Sequence, residues 1–343
     1  MTILPLVTPG PGWQAGNIMS EPDVRVAEPG APRTVRPEEK TGPARRAGLV
    51  AWGCLLIVYV VWGSTYLAIR VGVETMPPLL MAAVRNLTAG LIMFPIAVRS
   101  RRGAAGWPSR AEWLGCAVVG VLLLVANGAV GIGEQTVPSG LAALLVATVP
   151  LWLIGIDAAL NHTRLGPATL AGLALGLAGV GLLSGLGSGH GPGRISTVGV
   201  AVILGAAFMW ALGTIMARRV TIPSRPALAS GMQLLCGGVV LLALAGAAGE
   251  FGSLHLAQVS ARSWLALAYL IVIGSIVAYS AYGIAVRALP TSTVATYAYV
   301  NPVIAVLLGT LILNERLTPA MLAGGALIVG AVVLVVRRSP PSH

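Results

Sequence analysis

Apolar residues run along the chain in long blocks with few polar interruptions, starting near residue 48. A helix that crosses a lipid bilayer needs about 20 mainly apolar residues. Ten blocks meet this requirement, which predicts an all-α integral membrane protein with ten transmembrane helices. The predicted spans are Gly48–Val71, Leu79–Arg99, Trp113–Gly133, Ser139–Leu160, Pro167–Leu186, Thr197–Arg218, Pro226–Gly249, Trp264–Val286, Thr291–Leu313 and Pro319–Val336.

The composition agrees with burial in lipid. Hydrophobic residues make up 56% of the 343 residues and charged residues only 10%, whereas a soluble domain carries about 25% charged residues. The net charge of +11 does not indicate a nucleic-acid partner, because the arginines lie mostly between apolar blocks. The three cysteines lie inside apolar blocks without metal-ligand spacing, so neither a metal, a cofactor nor a disulfide is predicted.

The first 46 residues are rich in proline, glycine and charges of both signs. This composition predicts a disordered tail at residues 1–46, and a second short tail is predicted at residues 338–343. The first apolar block starts too late for a signal peptide. Met19 is a second candidate for the first residue of the chain.

The basic residues predict the orientation. With the N-terminus inside, 17 of the 22 lysines and arginines lie on the inner side and four on the outer side. Cytoplasmic loops of membrane proteins carry such an excess, so both termini are predicted to be cytoplasmic.

The second half of the chain repeats the first half. With a shift of 152 positions, Pro150 falls on Pro302 and Pro167 falls on Pro319. The repeats are predicted at residues 47–187 and 197–337, with five helices each. Because five is odd, the second repeat enters the membrane from the opposite face. Inverted repeats of this kind are typical of secondary transporters, whose binding site lies between the two units.

Prolines interrupt the predicted fourth and ninth helices at the equivalent positions Pro150 and Pro302. Matched helix breaks in two repeats point to a transport site. Asn301 precedes one of the prolines, which favours a cavity lining. A simple packing kink is the alternative, because prolines are common in membrane helices.

Five sequence motifs resemble the EamA-type branch of the drug/metabolite transporter superfamily. They are VVWGSTYLAIRVG, AAVRNLTAG, GEQTVPSGLAALLVATVPLW, MWALGTIMARR and TYAYVNPVIAVLLGTLILNERLTPAMLAGGALIVGAVVL. The resemblance covers roughly residues 50 to 337, and the segment after Glu134 is particularly similar to the YedA-like exporters of that branch. It implies ten helices in two EamA repeats, an inner-membrane location and export of amino acids, related metabolites or drugs.

Aromatic and amide side chains inside the apolar blocks are candidates for a substrate cavity. The candidates are Trp62, Asn127, Trp210, Gln233, Tyr279, Tyr282, Tyr297 and Asn301. Hydrogen bonds between helices would explain the amides equally well.

Three ionisable residues are further candidates. Arg85 lies well inside a block, where it either meets a substrate carboxylate or Glu134, or clamps helix-end carbonyls. Glu134 and Asp157 are candidates for proton coupling. Both lie near predicted interfaces, where a solvated carboxylate costs little, so a purely structural role is the alternative.

The sequence thus predicts a secondary transporter that exports small molecules by alternating access, as a monomer or homodimer, with no cofactor. A non-transporting receptor or scaffold and an intramembrane enzyme are the alternatives. No catalytic residues are predicted, because the four histidines lie in loops or at the terminus and no phosphate-binding loop is present.

Single cysteines at equivalent positions test the inverted arrangement in a variant whose native cysteines are replaced. We expect a membrane-impermeant maleimide to label the Arg164→Cys variant only from the cytoplasmic face and the Arg316→Cys variant only from the outer face. Labelling of both variants from the same face would contradict the inverted repeat.

Overall fold

The computed structural model describes residues 42–99, 107–185, 196–289, 291–294 and 296–338. All regular secondary structure within these ranges is helical. The predicted N-terminal tail up to residue 41, which includes Met19, and the predicted tail after Arg338 lie outside the described residues.

Fourteen α-helices follow one another along these ranges. They are α1 Gly42–Gly72, α2 Pro78–Arg99, α3 Arg110–Glu134, α4 Ser139–Val146, α5 Val149–Leu160, α6 Pro167–Gly185, α7 Thr197–Met216, α8 Pro226–Ala247, α9 Glu250–Ser253, α10 Ala261–Tyr269, α11 Ala278–Ala288, α12 Thr291–Val294, α13 Tyr297–Leu313 and α14 Pro319–Arg338. A 3₁₀ turn covers Leu256–Gln258, and a π-helical segment, Leu270–Val277, joins α10 to α11.

Seven segments of the described chain are helical, long and apolar enough to cross a membrane. They are Gly48–Gly72, Pro78–Arg99, Arg110–Glu134, Ser139–Leu160, Thr197–Met216, Pro226–Ala247 and Ala261–Ala285. Three further apolar helices are shorter, namely Thr169–Leu183, Tyr297–Leu313 and Met321–Leu334. The sequence predicted ten full spans. The predicted ninth span differs because its first turn, α12, is separate from α13, which retains 17 residues.

Helices of the two halves interleave and pack in reciprocal pairs. α2 packs against its equivalent α8, and α6 packs against its equivalent α14. The packing of α3 on α7 has its counterpart in the packing of α10 and α11 on α1. Likewise, α13 packs on α1 as α4 and α5 pack on α7. The pairing of the helices thus follows the repeat in the sequence.

Glycines at equivalent positions of α2 and α8 make equivalent contacts between these two helices. Gly90 and Gly238 are 148 positions apart, as are Leu87 and Leu235. A Cβ on Gly90 would lie 3.0 Å from the backbone nitrogen of Leu235, and one on Gly238 would lie 3.0 Å from that of Leu87. Small residues allow helices in membranes to approach this closely. The hydrophobic effect does not drive helices together in lipid, so the dispersion contacts of such close packing stabilise the pair instead.

A methyl group at Gly120 is expected to separate α3 from α8. A Cβ there would lie 2.4 Å from the backbone oxygen of Gln233, whereas a Cβ on Gly205 of α7 would meet nothing within 4 Å. We expect Gly120→Ala to lower the free energy of unfolding by about 1–3 kcal/mol because backbone must shift. Gly205→Ala is the matched control, and unfolding of the detergent-purified protein is followed by tryptophan fluorescence. Equal stability of the two variants would contradict the close packing.

Candidate functional site

A cavity of about 980 Å³ lies between helices of the two halves. Its size is at the upper end for small-molecule sites. Repeat-related residues line it in pairs: Trp62 with Trp210, Val146 with Ala298, and Pro150 with Pro302. The cavity is therefore built on equivalent surfaces of the two halves.

Most of the predicted site residues meet at this cavity. The lining includes Trp62, Arg85, Asn127, Pro150, Asp157, Trp210, Tyr279, Tyr297, Asn301 and Pro302. Tyr282, Gln233 and Glu134 are not among the lining residues. Tyr282 instead packs behind Trp62, and the backbone of Gln233 lies against Gly120.

The helix interruptions fall at different places in the two halves. α4 ends at Val146 and α5 begins at Val149, so Pro150 lies in the first turn of α5, where a missing N–H is no loss. The Thr148 hydroxyl donates to the carbonyl of Leu145 at 2.6 Å, in addition to the backbone N–H of Thr148 at 3.1 Å, and so fixes the turn between the two helices. In the second half the interruption precedes Tyr297, and Pro302 lies within α13.

Asn301 joins α13 to α1. The amide orientation that gives its nitrogen acceptors is the one in which it donates to the backbone carbonyls of Tyr59, at 3.2 Å, and Tyr297, at 3.1 Å. The helices approach closely here, because a Cβ on Gly63 would lie 2.7 Å from the Cβ of Ile304. Asn301 thus lines the cavity and also makes an inter-helix hydrogen bond.

Four aromatic rings form one cluster beside the cavity. The centroid of Trp62 lies 5.7 Å from that of Tyr279, 5.1 Å from that of Tyr282 and 5.1 Å from that of Tyr297. Tyr282 and Tyr297 are 6.1 Å apart, with their planes at 86°. Edge-to-face packing of this kind stabilises aromatic groups beyond the area they bury. The cluster gives the cavity a firm apolar wall.

Arg85 is buried, with 5% of its surface exposed. Its Nε donates to Ser275 Oγ at 3.1 Å, and its Nη1 donates to Asn127 Oδ1 at 3.2 Å. Ser275 belongs to the π-helical segment, and such segments often occur at functional sites. Both partners are neutral, so neither cancels the charge of the guanidinium.

The cavity reaches the end of the molecule where α5 meets α6. Residues of that connection and of the adjacent helix ends line it, namely Asp157, Thr163, Arg164, Leu165, Gly166, Pro167 and Arg218. The equivalent connection between α13 and α14, at residues 315–319, is not among the lining residues. The cavity is therefore one-sided, although the helices around it are related by the repeat.

Side-chain contacts between the halves close the opposite end. Glu315 accepts hydrogen bonds from the backbone nitrogens of Ser139, at 2.8 Å, and Gly140, at 3.1 Å, and so caps α4. Glu250 caps α2 in the same way, at 3.2 Å from the nitrogen of Leu79 and 2.7 Å from that of Leu80. Carboxylates are favourable at helix N-termini because they meet free N–H groups and the positive end of the dipole.

Glu134 lies at this closed end and corrects an expectation from the sequence. A solvated carboxylate was expected there, but Glu134 is 0% exposed. Neither of its carboxylate oxygens has a hydrogen-bond partner among the described residues, while Arg70 donates to its backbone carbonyl. The burial arises because α3 ends packed against α7 rather than at a free surface, and a Cβ on the preceding Gly133 would overlap the side chain of Ile203. Asp157, in contrast, is exposed and accepts from Asn161 at 3.0 Å.

Several lining residues were missed by the sequence interpretation. They are Thr65, Tyr66, Arg164, Thr214 and Arg218. Tyr66 lies four residues after Trp62, on the same face of α1, so helical spacing could have identified it. The two arginines were interpreted only as signals of orientation.

Comparisons with known proteins agree with this architecture. The EamA-like transporter family matches the chain over residues 50–185 and again over residues 197–337. The chain belongs to this family. The chain is 40% identical to the uncharacterised inner membrane transporter YedA of Escherichia coli K12, over 84% of this chain and 90% of that one. It is 30% identical, over 83% of this chain and 93% of the other, to a protein of the same strain named a "probable amino-acid metabolite efflux pump".

The fold also resembles a solved structure. A protein of known crystal structure matches 85% of this EamA-family chain with a TM-score of 0.53, at 21% identity and over 98% of its own length. At this identity the match supports the fold alone.

The Glu315 cap depends on a glycine opposite it. A Cβ on Gly309 would lie 2.4 Å from Glu315 Oε2 and 2.9 Å from Ser139 Oγ. We expect Glu315→Gln and Gly309→Ala each to lower the free energy of unfolding by about 1–2 kcal/mol, since each loosens the same charged hydrogen bonds. The double variant should lose less than the sum of the two. Denaturant unfolding in detergent measures this, and fully additive losses would show that the two residues act separately.

Proposed function

We propose that this EamA-family protein is a secondary transporter that exports small organic metabolites across the inner membrane by alternating access. The one-sided cavity between equivalent surfaces of the two halves carries the proposal. A one-sided cavity at a repeat interface is what one state of an alternating-access cycle requires. If each half adopted the packing arrangement of the other, the open end of the cavity would close and the closed end would open.

Ten crossings in two inverted repeats fit this proposal. α6 has 19 residues and α14 has 20, close to the length that a bilayer needs. α12 and α13 together reach from Thr291 to Leu313 and make up the ninth crossing. The family matches the two halves separately, as a duplicated unit would.

The charge bias sets the direction of the open end. Arg164 and Arg218 lie at the open end, on the side where the sequence collects most of its basic residues. This side is cytoplasmic by the positive-inside rule, so the cavity faces inward, where an exporter loads its substrate.

The carboxylate caps are the contacts that an outward-opening step has to break. Glu250 and Glu315 both come from the second half and bind helix starts of the first half. On the inner side, the described side-chain hydrogen bonds between the halves involve no carboxylate. They include the bond between the hydroxyls of Tyr59 and Thr296, the weak bond from the Cys116 thiol to the carbonyl of Ala229, and the exposed bond from Arg219 to Asn161. Partly buried hydrogen bonds to a carboxylate hold more strongly than exposed or uncharged ones, so the outer end, with its two caps, is the more firmly closed.

Glu134 is the stronger candidate for proton coupling. It is buried beside the caps without a hydrogen-bond donor for its carboxylate, whereas Asp157 is exposed. A lone carboxylate in an apolar interior is costly when ionised, so a change in its charge is linked to movement of its surroundings. Arg70, Tyr66 and Glu315 are the ionisable groups that interact with it.

Alanine at the cavity wall tests transport. We expect Trp210→Ala and Tyr297→Ala to reduce flux of a panel of radiolabelled amino acids and their metabolites into proteoliposomes by about tenfold, because each deletes aromatic contact with the substrate. Trp264→Ala is the matched control, since Trp264 is exposed on α10 and does not line the cavity. Reconstituted amounts are equalised before comparison.

The same assay separates the transporter from the alternatives, because a receptor, a scaffold or an intramembrane enzyme would move no solute. Flux that is unchanged in both the Trp210→Ala and the Tyr297→Ala variant would show that these side chains are not part of the site.

A further inference from the structure

The charged groups of the cavity are unequally distributed. Three arginines line it, Arg85, Arg164 and Arg218, against one carboxylate, Asp157. Asp157 is exposed at the open end, where it is already bonded to Asn161. The buried part of the lining therefore contains a guanidinium and, among the described lining residues, no carboxylate. This part attracts anions and offers no opposite charge to a cation.

Arg85 and its partner Asn127 both have hydrogen-bond donors left to offer to a ligand. Arginine has five N–H donors and no acceptor. Asn127 uses its Oδ1 to accept from Arg85, so the amide nitrogen is the group that it has left to offer. A substrate carboxylate, which only accepts hydrogen bonds, therefore matches the part of the cavity beside Arg85 and Asn127.

The aromatic cluster does not provide an alternative site for a cation. A cation binds over an open ring face within about 6 Å of the centroid. Here Trp62 meets the rings of Tyr279 and Tyr297 at 69° and 82°, so neighbouring ring edges cover the faces inside the cluster.

We propose that the cavity selects organic carboxylates that carry an apolar or aromatic body and no ammonium group. This assignment rests on the proposed transport function and names the substrate class of the same cavity. An amino acid in its zwitterionic form would place its carboxylate equally well. Its ammonium group would then lie near a guanidinium, with no carboxylate among the described residues of the buried lining to oppose its charge. A buried group left without its partner is a strong basis for discrimination.

Four probes with a common phenyl body test the assignment on the unmodified full-length protein. They are 3-phenylpropanoate, phenylalanine, 2-phenylethylamine and 3-phenylpropan-1-ol, which are an anion, a zwitterion, a cation and a neutral molecule. Binding is measured in lipid nanodiscs by tryptophan fluorescence and by thermal shift. We expect 3-phenylpropanoate to bind about tenfold more tightly than phenylalanine and the alcohol, and the amine to bind least.

Two variants connect the preference to Arg85. Arg85→Gln should bring the anion and the alcohol to equal affinity. Asn127→Asp keeps the shape of the side chain but places a carboxylate against Arg85, so it should also abolish the anion preference. Arg316→Gln is the control, because Arg316 is the repeat equivalent of Arg164 outside the cavity lining. The control should retain the order of the four probes.

Other results overturn the assignment in ways that separate it from the transport proposal. Equal or tighter binding of phenylalanine or the amine, with flux of that probe lost in Trp210→Ala, would overturn the substrate class and leave transport standing. An anion preference that survives in both Arg85→Gln and Asn127→Asp would remove Arg85 from this role. Failure of all four probes to bind would also overturn the assignment. Binding of 3-phenylpropanoate without flux of any substrate would instead overturn transport.

Discussion

Backbone polar groups buried in a membrane have to find partners within the protein, and this constraint governs where the helices stop. A free carbonyl or amide in lipid costs several kcal/mol, so irregular backbone is tolerated only against protein or a wet cavity. The interruption between α4 and α5 borders the cavity, and there the carbonyl of Leu145 accepts from both the backbone N–H and the hydroxyl of Thr148. The N-termini of α2 and α4 are satisfied by Glu250 and Glu315. The same groups that complete the backbone hydrogen bonding thus fasten the two halves together.

The symmetry of the fold and the asymmetry of the cavity have different origins. Helix packing follows the repeat, because small residues at equivalent places, such as Gly90 and Gly238, set equivalent distances between helices. The caps do not follow it, since the repeat equivalent of Glu315 is Thr163, which has no carboxylate. Two carboxylates between the long helices, Glu250 in the short α9 and Glu315 before α14, therefore account for the closure of one end of a near-symmetric bundle. The two repeats together form the cavity, and the differences between their connecting segments account for its opening at one end.

The sequence predicts the helical class, the repeat and much of the cavity lining, because these depend on apolar runs and on spacing. Trp62 and Trp210 reach the cavity because they occupy equivalent positions on α1 and α7. The placement of Gln233 and Glu134 could not be predicted. It depends on which helices approach closely, and polarity alone does not separate a cavity from a helix contact. The same holds for Arg85, whose roles as clamp and as anion site are compatible, since two neutral partners position it without neutralising it.

The π-helical segment Leu270–Val277 affects how side chains in this part of the chain are assigned to faces. Each residue added to a helical turn rotates everything after it by about 100° relative to a regular α-helix. A helical wheel drawn through Trp264 and Tyr279 as one continuous helix therefore misjudges their relative directions. On one side of the widened turn, α10 exposes Trp264 and Leu265, and on the other side Tyr279 of α11 lines the cavity. One local change of pitch thus gives a single crossing two independent orientations.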